Sequence, residues 1–97
     1  MMRQMERSES IRDYVITPHA AFEMHRRGLD ETTVCQVLTQ PEQREVVRPG
    51  REVLQPRLEL EGQIYLVRVF VDIARVPPEV VTAYQTSKIE KYWREEA

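Results

Sequence analysis

The stretch from Gln63 to Ile73 limits the folds open to this chain more than any other part of the sequence. Its central residues, Ile-Tyr-Leu-Val-Arg-Val-Phe-Val, are β-branched, aliphatic and aromatic, and such residues favour strands. Apolar side chains occupy both alternating faces, which is typical of a strand in the interior of a sheet. Arg68 interrupts this run. Because burying an unpaired charge is costly, we expect Arg68 to meet a carboxylate, a carbonyl or a ligand anion.

Shorter strand patterns precede and follow this run. The first covers 44–48 and ends at the turn signal Pro49-Gly50. The second covers 53–60 and contains Pro56, which cannot donate a hydrogen bond to a neighbouring strand and so indicates an edge or a bulge. A last strand is predicted over 80–84. Together with the central run, the pattern indicates a meander of four strands.

Two helix signals stand before the strands. Thr17 can cap a first helix that has Pro18 at its first position, and Gly28 can end this helix in the left-handed conformation. Asp30 offers a cap for a second helix that stops before Pro41. The helical period predicts six residues for the two buried faces: Ala20, Ala21, Met24, Val34, Val37 and Leu38.

The order of the elements predicts the fold class. Thr86-Ser87 can cap a final helix from Lys88 to about Glu95. We therefore expect an α+β fold with an N-terminal αα-hairpin, a four-stranded, mainly antiparallel sheet and a C-terminal helix. The polar residues 1–13 are expected to form a flexible tail. Residues 14–97 are expected to form one domain, because a chain of 97 residues suffices for a single core.

Composition excludes several classes of protein. A net charge of −2 argues against a protein that coats nucleic acid by bulk electrostatics, but it leaves a local basic patch open. Twelve arginines accompany only two lysines, a bias compatible with RNA, with an acidic partner or with a GC-rich genome. No run is long and apolar enough for a membrane span or a signal peptide, so we expect a cytoplasmic protein. The single cysteine, Cys35, excludes an internal disulfide and is expected to be buried.

The first helix carries the most distinctive group of ionisable residues. Helical spacing places four of them on one arc: His19, Glu23, Arg26 and Arg27. One interpretation is a solvated face with an ion pair between Glu23 and Arg27. The other is a titratable His19, oriented by a carboxylate and flanked by arginines that bind an anion. His25 points about 240° away from His19, so the two cannot share a metal. We expect no metal and no cofactor.

Two segments carry a resemblance to known proteins. The first helix resembles the start of an uncharacterised family of small bacterial domains in the pattern His19-Ala-x-x-x-Met24-x-x-Arg27-Gly28-Leu29, followed by a second helix ending in Gln40-Pro41-Glu42. The segment Glu79-Val-Val-Thr-Ala-Tyr84-Gln-Thr-Ser-Lys88-Ile-Glu-Lys-Tyr92-Trp resembles the last strand and helix of that family and of BrnT-type toxins. Both groups are similar to the RelE/ParE-like toxins of toxin–antitoxin systems, many of which are ribonucleases.

This resemblance implies a toxin-like protein that cleaves RNA without a metal. In such cleavage a 2′-hydroxyl attacks the neighbouring phosphate while a base accepts its proton. The matching positions implied to be catalytic are His19, Arg27, Arg68, Tyr84 and Lys88. His19 would be the base or the acid, and the two arginines would hold the phosphate. Tyr84 and Lys88 would lie near the leaving oxygen.

Other interpretations stay open at this point. Arg26 and Arg57 are candidate substrate-binding residues. The position of Tyr84 at the end of an apolar strand favours a core or interface aromatic over a catalytic hydroxyl, and Tyr92 and Trp93 are expected to be packing residues. A toxin would have an antitoxin-like protein partner and RNA as its substrate. The alternative is a non-enzymatic module that keeps the same fold and binds a protein or a nucleic acid. Exposed sheet edges also leave a homo-oligomer open.

Overall fold

One mixed sheet forms the centre of the protein, of which the computed structural model describes residues 9–95. The elements along the chain are β1 (Val15–Ile16), α1 (Pro18–Arg26), α2 (Glu31–Thr39), β2 (Gln43–Arg48), β3 (Arg51–Gln55), β4 (Arg57–Leu60), β5 (Gln63–Asp72), β6 (Glu79–Thr86) and α3 (Ile89–Tyr92). The strand order is β1-β6-β5-β3-β2, and β4 also pairs with β5. The interior position predicted for the central run is therefore confirmed, because β5 pairs with β3, β4 and β6.

The predicted α+β arrangement is wrong. The sheet has six strands rather than four, and β1 runs parallel to β6, so the fold is a mixed α/β one in which the short helices are the minor part. The sequence carries no signal for β1, because two residues are too few for an alternating pattern. Pairing with β6 nevertheless fixes the entry to α1, since Thr17 N–H donates to Val80 O over 3.1 Å.

Pro56 explains another difference in the sheet. The strand predicted over 53–60 is divided at this residue into β3 and β4, which pair with successive parts of the same edge of β5. Proline has no N–H to donate, but its carbonyl still serves the sheet. Pro56 O accepts a hydrogen bond of 3.2 Å from Val67 N–H. The break at Pro56 therefore divides one predicted strand into two, while the chain on both sides of it stays paired with β5.

The final helix is shorter than predicted. It covers Ile89–Tyr92 instead of Lys88 to about Glu95, and Trp93 already has an extended conformation. The Gln43 side chain explains the early end, since its amide donates to Arg94 O over 2.6 Å and its carbonyl accepts from Arg94 N–H over 3.1 Å. These bonds give the N–H and the carbonyl of Arg94 the partners that a neighbouring strand would give them. The backbone of Arg94 therefore needs no helical hydrogen bonds, and the helix ends before this residue.

The two predicted helices and their caps are confirmed. Thr17 Oγ1 accepts from Ala20 N–H over 3.0 Å, and Asp30 Oδ1 accepts from Thr33 N–H over 2.8 Å. Leu29 N–H donates to Met24 O beyond the end of α1, as in a Schellman motif. Of the residues predicted to be buried on these helices, all are buried except Ala21, which is exposed.

Gly28 supplies a prediction about stability. It ends α1 with φ +73°, and no atom lies within 4 Å of the position that a Cβ would occupy. Gly28→Ala is therefore expected to cost about 1 kcal/mol through backbone strain alone. Gly28→Asn should cost less, because asparagine tolerates this conformation. Urea unfolding of the three proteins measures both values, and equal stabilities of the alanine variant and the wild type would contradict the assignment.

The core lies between the helices and one face of the sheet. Alternate residues of β5 (Val67, Val69 and Val71) are fully buried there, in the cluster that contains residues of α1 and α2. The residues between them, such as Arg68 and Phe70, lie on the opposite face, which we call the outer face. The predicted tail contributes Ile11, which is 8% exposed and donates its N–H to Leu38 O over 2.7 Å. Residues 1–8 of that tail lie outside the described residues.

Cys35 and Tyr14 lie together on the helix side of the sheet. Cys35, expected to be buried, is exposed on α2. Burial is the largest cause that raises the pKa of the Tyr14 phenol to about 12, and a hydrogen bond with the Cys35 thiol adds to this increase. The prediction of a buried thiol is therefore wrong.

The helices of residues 9–95 are short. None of them combines the length and the apolar character that crossing a membrane requires.

Candidate functional site

A row of polar side chains crosses the outer face of the sheet. Gln43 lies opposite Gln55, and Arg68 lies opposite Tyr84, so four strands contribute one residue each. The row is joined by hydrogen bonds: Arg68 Nε donates to Gln55 Oε1 over 2.8 Å, and Gln55 Nε2 donates to Gln43 Oε1 over 2.9 Å. On the other side, Arg68 Nη1 donates to Tyr84 OH over 2.7 Å. We call these four residues the polar row.

Arg68 is the member of the polar row that carries a charge. The expectation that it meets a carboxylate, a carbonyl or an anion is confirmed by the side-chain carbonyl of Gln55. Within residues 9–95 no carboxylate forms an ion pair with Arg68. Six other arginines do form ion pairs with Glu or Asp side chains: Arg26, Arg27, Arg44, Arg51, Arg57 and Arg94.

The Arg68 guanidinium has N–H groups that are not used in its hydrogen bonds to the described residues. The side chain is half-buried, and its two hydrogen bonds use two of the five N–H groups of a guanidinium. Both acceptors are neutral oxygens, so neither cancels the positive charge. That charge is therefore left for a ligand.

Aromatic rings surround this guanidinium. The Arg68 Cζ atom lies 4.4 Å from the centre of the Tyr92 ring, 5.3 Å from that of Phe70 and 5.7 Å from that of Tyr84. Phe70 and Tyr84 stack on each other, with ring centres 6.1 Å apart. Such cation–π contacts hold a guanidinium in place without neutralising it. All three rings are only half-buried, so part of each faces solvent.

Tyr92 gives the site a titratable group. Burial raises the pKa of its phenol, but the Lys91 ammonium, hydrogen bonds with Lys91 and Tyr84, and the Arg68 charge together hold this pKa below its usual value. The Tyr92 ring also lies edge-on to the ring of Tyr84, with ring centres 6.3 Å apart, and Tyr84 accepts the hydrogen bond from Arg68. A phenol placed in this way can accept or donate a proton beside a bound anion.

Two glutamines fasten the C-terminal segment to the sheet, and the sequence analysis missed both. Gln55 is fully buried and donates a hydrogen bond of 3.2 Å to Tyr92 O. Gln43 is 8% exposed and binds both the N–H and the carbonyl of Arg94. Neither position carried a signal in the sequence: Gln43 lies between the charged Glu42 and Arg44, and whether Gln55 is buried depends on the neighbouring strands. Once buried, a polar side chain needs partners.

The residues predicted on α1 form a second group. Arg27 Nη1 donates to Ala83 O over 3.0 Å and to Thr82 Oγ1 over 3.3 Å, so it lies at the edge of β6. Its Nη2 is 2.9 Å from Glu23 Oε1. A hydrogen bond from Arg26, followed by the charges of Arg26, Arg27 and His19, lowers the pKa of the Glu23 carboxyl against its partial desolvation. This group is the ion-paired arc that the helical spacing predicted.

The structure thus brings together only part of the predicted set. Arg68 and Tyr84 are hydrogen-bonded on the outer face. His19 is exposed on α1, and within residues 9–95 no hydrogen bond or ion pair joins it to the polar row. Lys88 is exposed beside Thr86, whose Oγ1 accepts its backbone N–H over 3.1 Å. The catalytic roles of these residues stay predictions.

The two candidate substrate-binding residues differ in their surroundings. Arg57 is held by Glu42 through a bond of 3.0 Å from Nη2, and its guanidinium carbon lies 4.0 Å from the centre of the Trp93 ring. Arg26 lies on the exposed side of α1, bonded to Glu23 over 3.1 Å. Both arginines already have a carboxylate partner, so a substrate phosphate would compete with that partner for either of them.

Comparisons with known proteins assign the chain to no family. No protein-family model, curated protein or solved structure matches it. The resemblance to BrnT-type and RelE/ParE-like toxins therefore stays a prediction.

A metal site would need several ligand side chains close together in the part of the chain that the structure describes. No three His, Cys, Asp or Glu side chains there are grouped so that they could hold a metal ion. The outer face brings close together a guanidinium, two phenols and an ammonium: Arg68, Tyr84, Tyr92 and Lys91.

Proposed function

We propose that this protein binds RNA on its outer face and cleaves it as a toxin-like endoribonuclease. One observation carries the proposal: the Arg68 guanidinium is half-buried among aromatic rings, and among residues 9–95 it is hydrogen-bonded only to the neutral oxygens of Gln55 and Tyr84. An arginine held in this way keeps its charge for a bound anion, and its planar fork matches a phosphate.

The aromatic residues favour RNA over a simple anion. Phe70 and Tyr84 lie beside Arg68 with part of each ring exposed, and exposed rings can stack on unpaired bases. A positive charge next to a stacking surface is the usual combination in proteins that bind single strands. Lys91, whose ammonium is 5.3 Å from the centre of the Tyr92 ring, adds a second cation to this part of the outer face.

The proposed cleavage is a transfer within the RNA itself. The 2′-hydroxyl loses its proton to a base and attacks the adjacent phosphorus, the bond from phosphorus to the 5′-oxygen breaks, and that oxygen leaves with a proton from an acid. The products are a 2′,3′-cyclic phosphate and a 5′-hydroxyl. Arg68 would stabilise the charge that develops on the phosphate oxygens. Tyr92, whose pKa is lowered next to Lys91, would exchange the proton.

His19 is the competing candidate for the proton transfer. The family resemblance implies this role, and its exposed position on α1 leaves it accessible to a large substrate. Arg27 connects the two groups, because it pairs with Glu23 on α1 and also binds β6 at Ala83, one residue before Tyr84. His19 and Arg68 lie on opposite sides of the sheet, so a substrate reaches both only if it passes around the edge of β6 at Arg27.

The same proposal includes a protein partner and a location. A toxin of this kind acts on transcripts in the cytoplasm and is restrained by an antitoxin-like protein. The outer edge of β2 suits such a partner, since β2 pairs only with β3 among the described strands. Val46 and Val47 on this strand are 63% and 47% exposed, and edge strands with apolar side chains readily pair with another chain.

Inducible expression in a bacterial host tests the proposed function. We expect the wild type to arrest growth and to produce cleaved transcripts with 2′,3′-cyclic phosphate ends. Arg68→Met should relieve both effects, since methionine keeps much of the packing volume and removes the charge. His19→Ala should relieve them only if His19, rather than Tyr92, exchanges the proton. Arg12→Gln is the control, because it also removes one arginine charge but at an exposed position on the helix side of the protein. The preceding residue, Ile11, is hydrogen-bonded to Leu38 of α2.

Two outcomes would lead to different conclusions. Growth arrest that Arg68→Met leaves unchanged, with the variant folded by circular dichroism, would contradict the assignment of the site. Intact transcripts combined with tight binding of RNA by the purified protein would favour the non-enzymatic module. The free donors of Arg68 support that second function equally well as far as binding is concerned.

A further inference from the structure

A second group of arginines lies at the tip of the sheet, where β2 turns into β3. Arg48 and Arg51 stand directly opposite each other in these strands, and Arg51 in turn stands opposite Asp72 of β5. Like charges placed directly opposite each other destabilise a sheet. Asp72 offsets only part of this repulsion, through bonds of 2.6 and 3.1 Å from Arg51.

A small cavity opens between these side chains. Its volume is about 180 Å³, and it is lined by Arg48, Gly50, Arg51, Asp72 and Arg75 among others. Arg48 and Arg75 are exposed and form no ion pair within residues 9–95. The hydrogen bond from Arg51, followed by its charge and those of Arg48 and Arg75, lowers the pKa of Asp72 against partial desolvation. Three cations thus converge on one carboxylate.

The charge balance at the tip favours an anion. Asp72 has Arg51 of β3 as its neighbour on one side and Glu79 of β6 as its neighbour on the other. Glu79 is therefore separated from the arginines of β2 and β3 by β5. Both oxygens of Asp72 are engaged by Arg51, so the forks of Arg48 and Arg75 are left for a ligand. A phosphate fits a cavity of this size and can accept from both guanidinium groups.

We propose that this tip cluster, Arg48, Arg51 and Arg75, is a second phosphate site for the RNA bound at Arg68. The inference rests on the proposed function. Asp72 and Arg68 lie four residues apart on the same face of β5, which places them about 13 Å apart along the strand. A ligand that reaches both sites must carry at least two phosphates, so the substrate is an oligonucleotide rather than a mononucleotide.

Phe70 makes the path between the two sites specific for a single strand. It lies midway between Arg68 and Asp72 on the outer face of β5, half-exposed and stacked on Tyr84. A base that stacks on this ring must be unpaired, because the bases of a duplex are already stacked on each other. The strand would therefore run along β5 with one phosphate at each end and a base over Phe70.

Binding of a single-stranded oligonucleotide of about eight nucleotides tests the inference. The probe is fluorescently labelled 2′-O-methyl RNA, which lacks the attacking hydroxyl and cannot be cleaved by the proposed reaction. Arg48→Gln combined with Arg75→Gln is expected to weaken binding about tenfold at low salt. The slope of log K against log salt should become shallower by about 0.7 for each phosphate that the variant no longer neutralises. Uridine monophosphate, whose single phosphate cannot occupy both sites at once, should lose less affinity in the double variant than the oligonucleotide does.

The control and the contrary outcomes separate this inference from the proposed function. Arg12→Gln removes one positive charge at a position outside both proposed sites. If the double variant binds the oligonucleotide as tightly as Arg12→Gln does, while Arg68→Met abolishes binding, the tip is not a phosphate site and the proposed function stands. If the wild type does not bind the oligonucleotide, or Arg68→Met leaves its binding unchanged, both are overturned.

Discussion

Gln55→Leu is expected to lower the free energy of unfolding by about 3 kcal/mol, although leucine has a similar volume and is apolar. Gln55 is fully buried and makes three hydrogen bonds, to Arg68, Gln43 and the carbonyl of Tyr92. Leucine makes none of them, so Tyr92 O loses the donor that Gln55 supplies. Gln43 Oε1 then keeps only the bond from Arg94 N–H, and the Arg68 guanidinium keeps only Tyr84 OH as an acceptor. Leaving each buried polar group unsatisfied costs about 1 to 3 kcal/mol.

Denaturant unfolding followed by circular dichroism measures this change. The midpoint should fall without a change in slope, because the surface exposed on unfolding is the same. Leu58→Ala is a useful comparison, since Leu58 is partly buried against the core and takes no part in the polar row. A decrease below about 1 kcal/mol for Gln55→Leu would mean that water replaces the missing bonds and that the row is not a closed network.

The same variant should loosen the C-terminal segment. Tyr92 and Arg94 are fastened to the sheet by Gln55 and Gln43, and α3 itself has only four residues and no side-chain cap. A helix this short depends on such contacts. Trp93 reports on the change, because its ring lies 4.0 Å from the Arg57 guanidinium and its fluorescence should shift to the red when the segment is released.

Local signals explain why the helices were predictable. A cap such as Thr17 or Asp30 accepts a hydrogen bond from the N–H three residues later, and Gly28 ends a helix through its own positive φ. Each signal can therefore be recognised within a few residues of sequence. The sheet was harder to predict for the opposite reason. Whether Val15 and Ile16 pair with β6 depends on residues more than sixty positions away.

The candidate site was predictable only in part, for the same reason. Arg68 was recognisable because a charge in an interior strand needs a partner, and the structure provides Gln55 and Tyr84. The role of Gln55 was not recognisable, since a glutamine in a short strand is expected to be exposed until the neighbouring strands are known. Tyr92 fits the prediction of a packing residue, because its ring lies 4.4 Å from the Arg68 guanidinium and edge-on to the ring of Tyr84.

The ion pairs of the arginines explain why the small net charge of the chain does not describe the charge of each part of its surface. Six arginines have acidic partners, so a mildly acidic chain can still carry cations without such partners at chosen places. Among the described residues these places include Arg68 on the outer face and Arg48 and Arg75 at the tip. Binding should therefore depend on these positions rather than on overall charge, and its dependence on salt should be shallow.

If the protein has the proposed function, Tyr92→Phe is expected to lower the rate of RNA cleavage by about 10² to 10⁴ while leaving the binding of the uncleavable oligonucleotide nearly unchanged. The substitution removes only the hydroxyl, and the ring that lies 4.4 Å from Arg68 stays in place. Single-turnover cleavage by the purified protein measures the rate. If His19 exchanges the proton instead, His19→Ala and not Tyr92→Phe will slow the reaction.

Lys91→Gln separates a proton-transfer role from a packing role of Tyr92. The Lys91 ammonium helps to hold the pKa of the Tyr92 phenol below its usual value, so removing it should raise that pKa. If the deprotonated phenol is the base, the rising limb of the rate against pH will move to higher pH in Lys91→Gln and disappear in Tyr92→Phe. Glu90→Gln changes an exposed neighbour on α3 and should leave the limb where it is. A limb that stays in place in Lys91→Gln, with a rate unaffected by Tyr92→Phe, would leave Tyr92 as a ring that only positions Arg68.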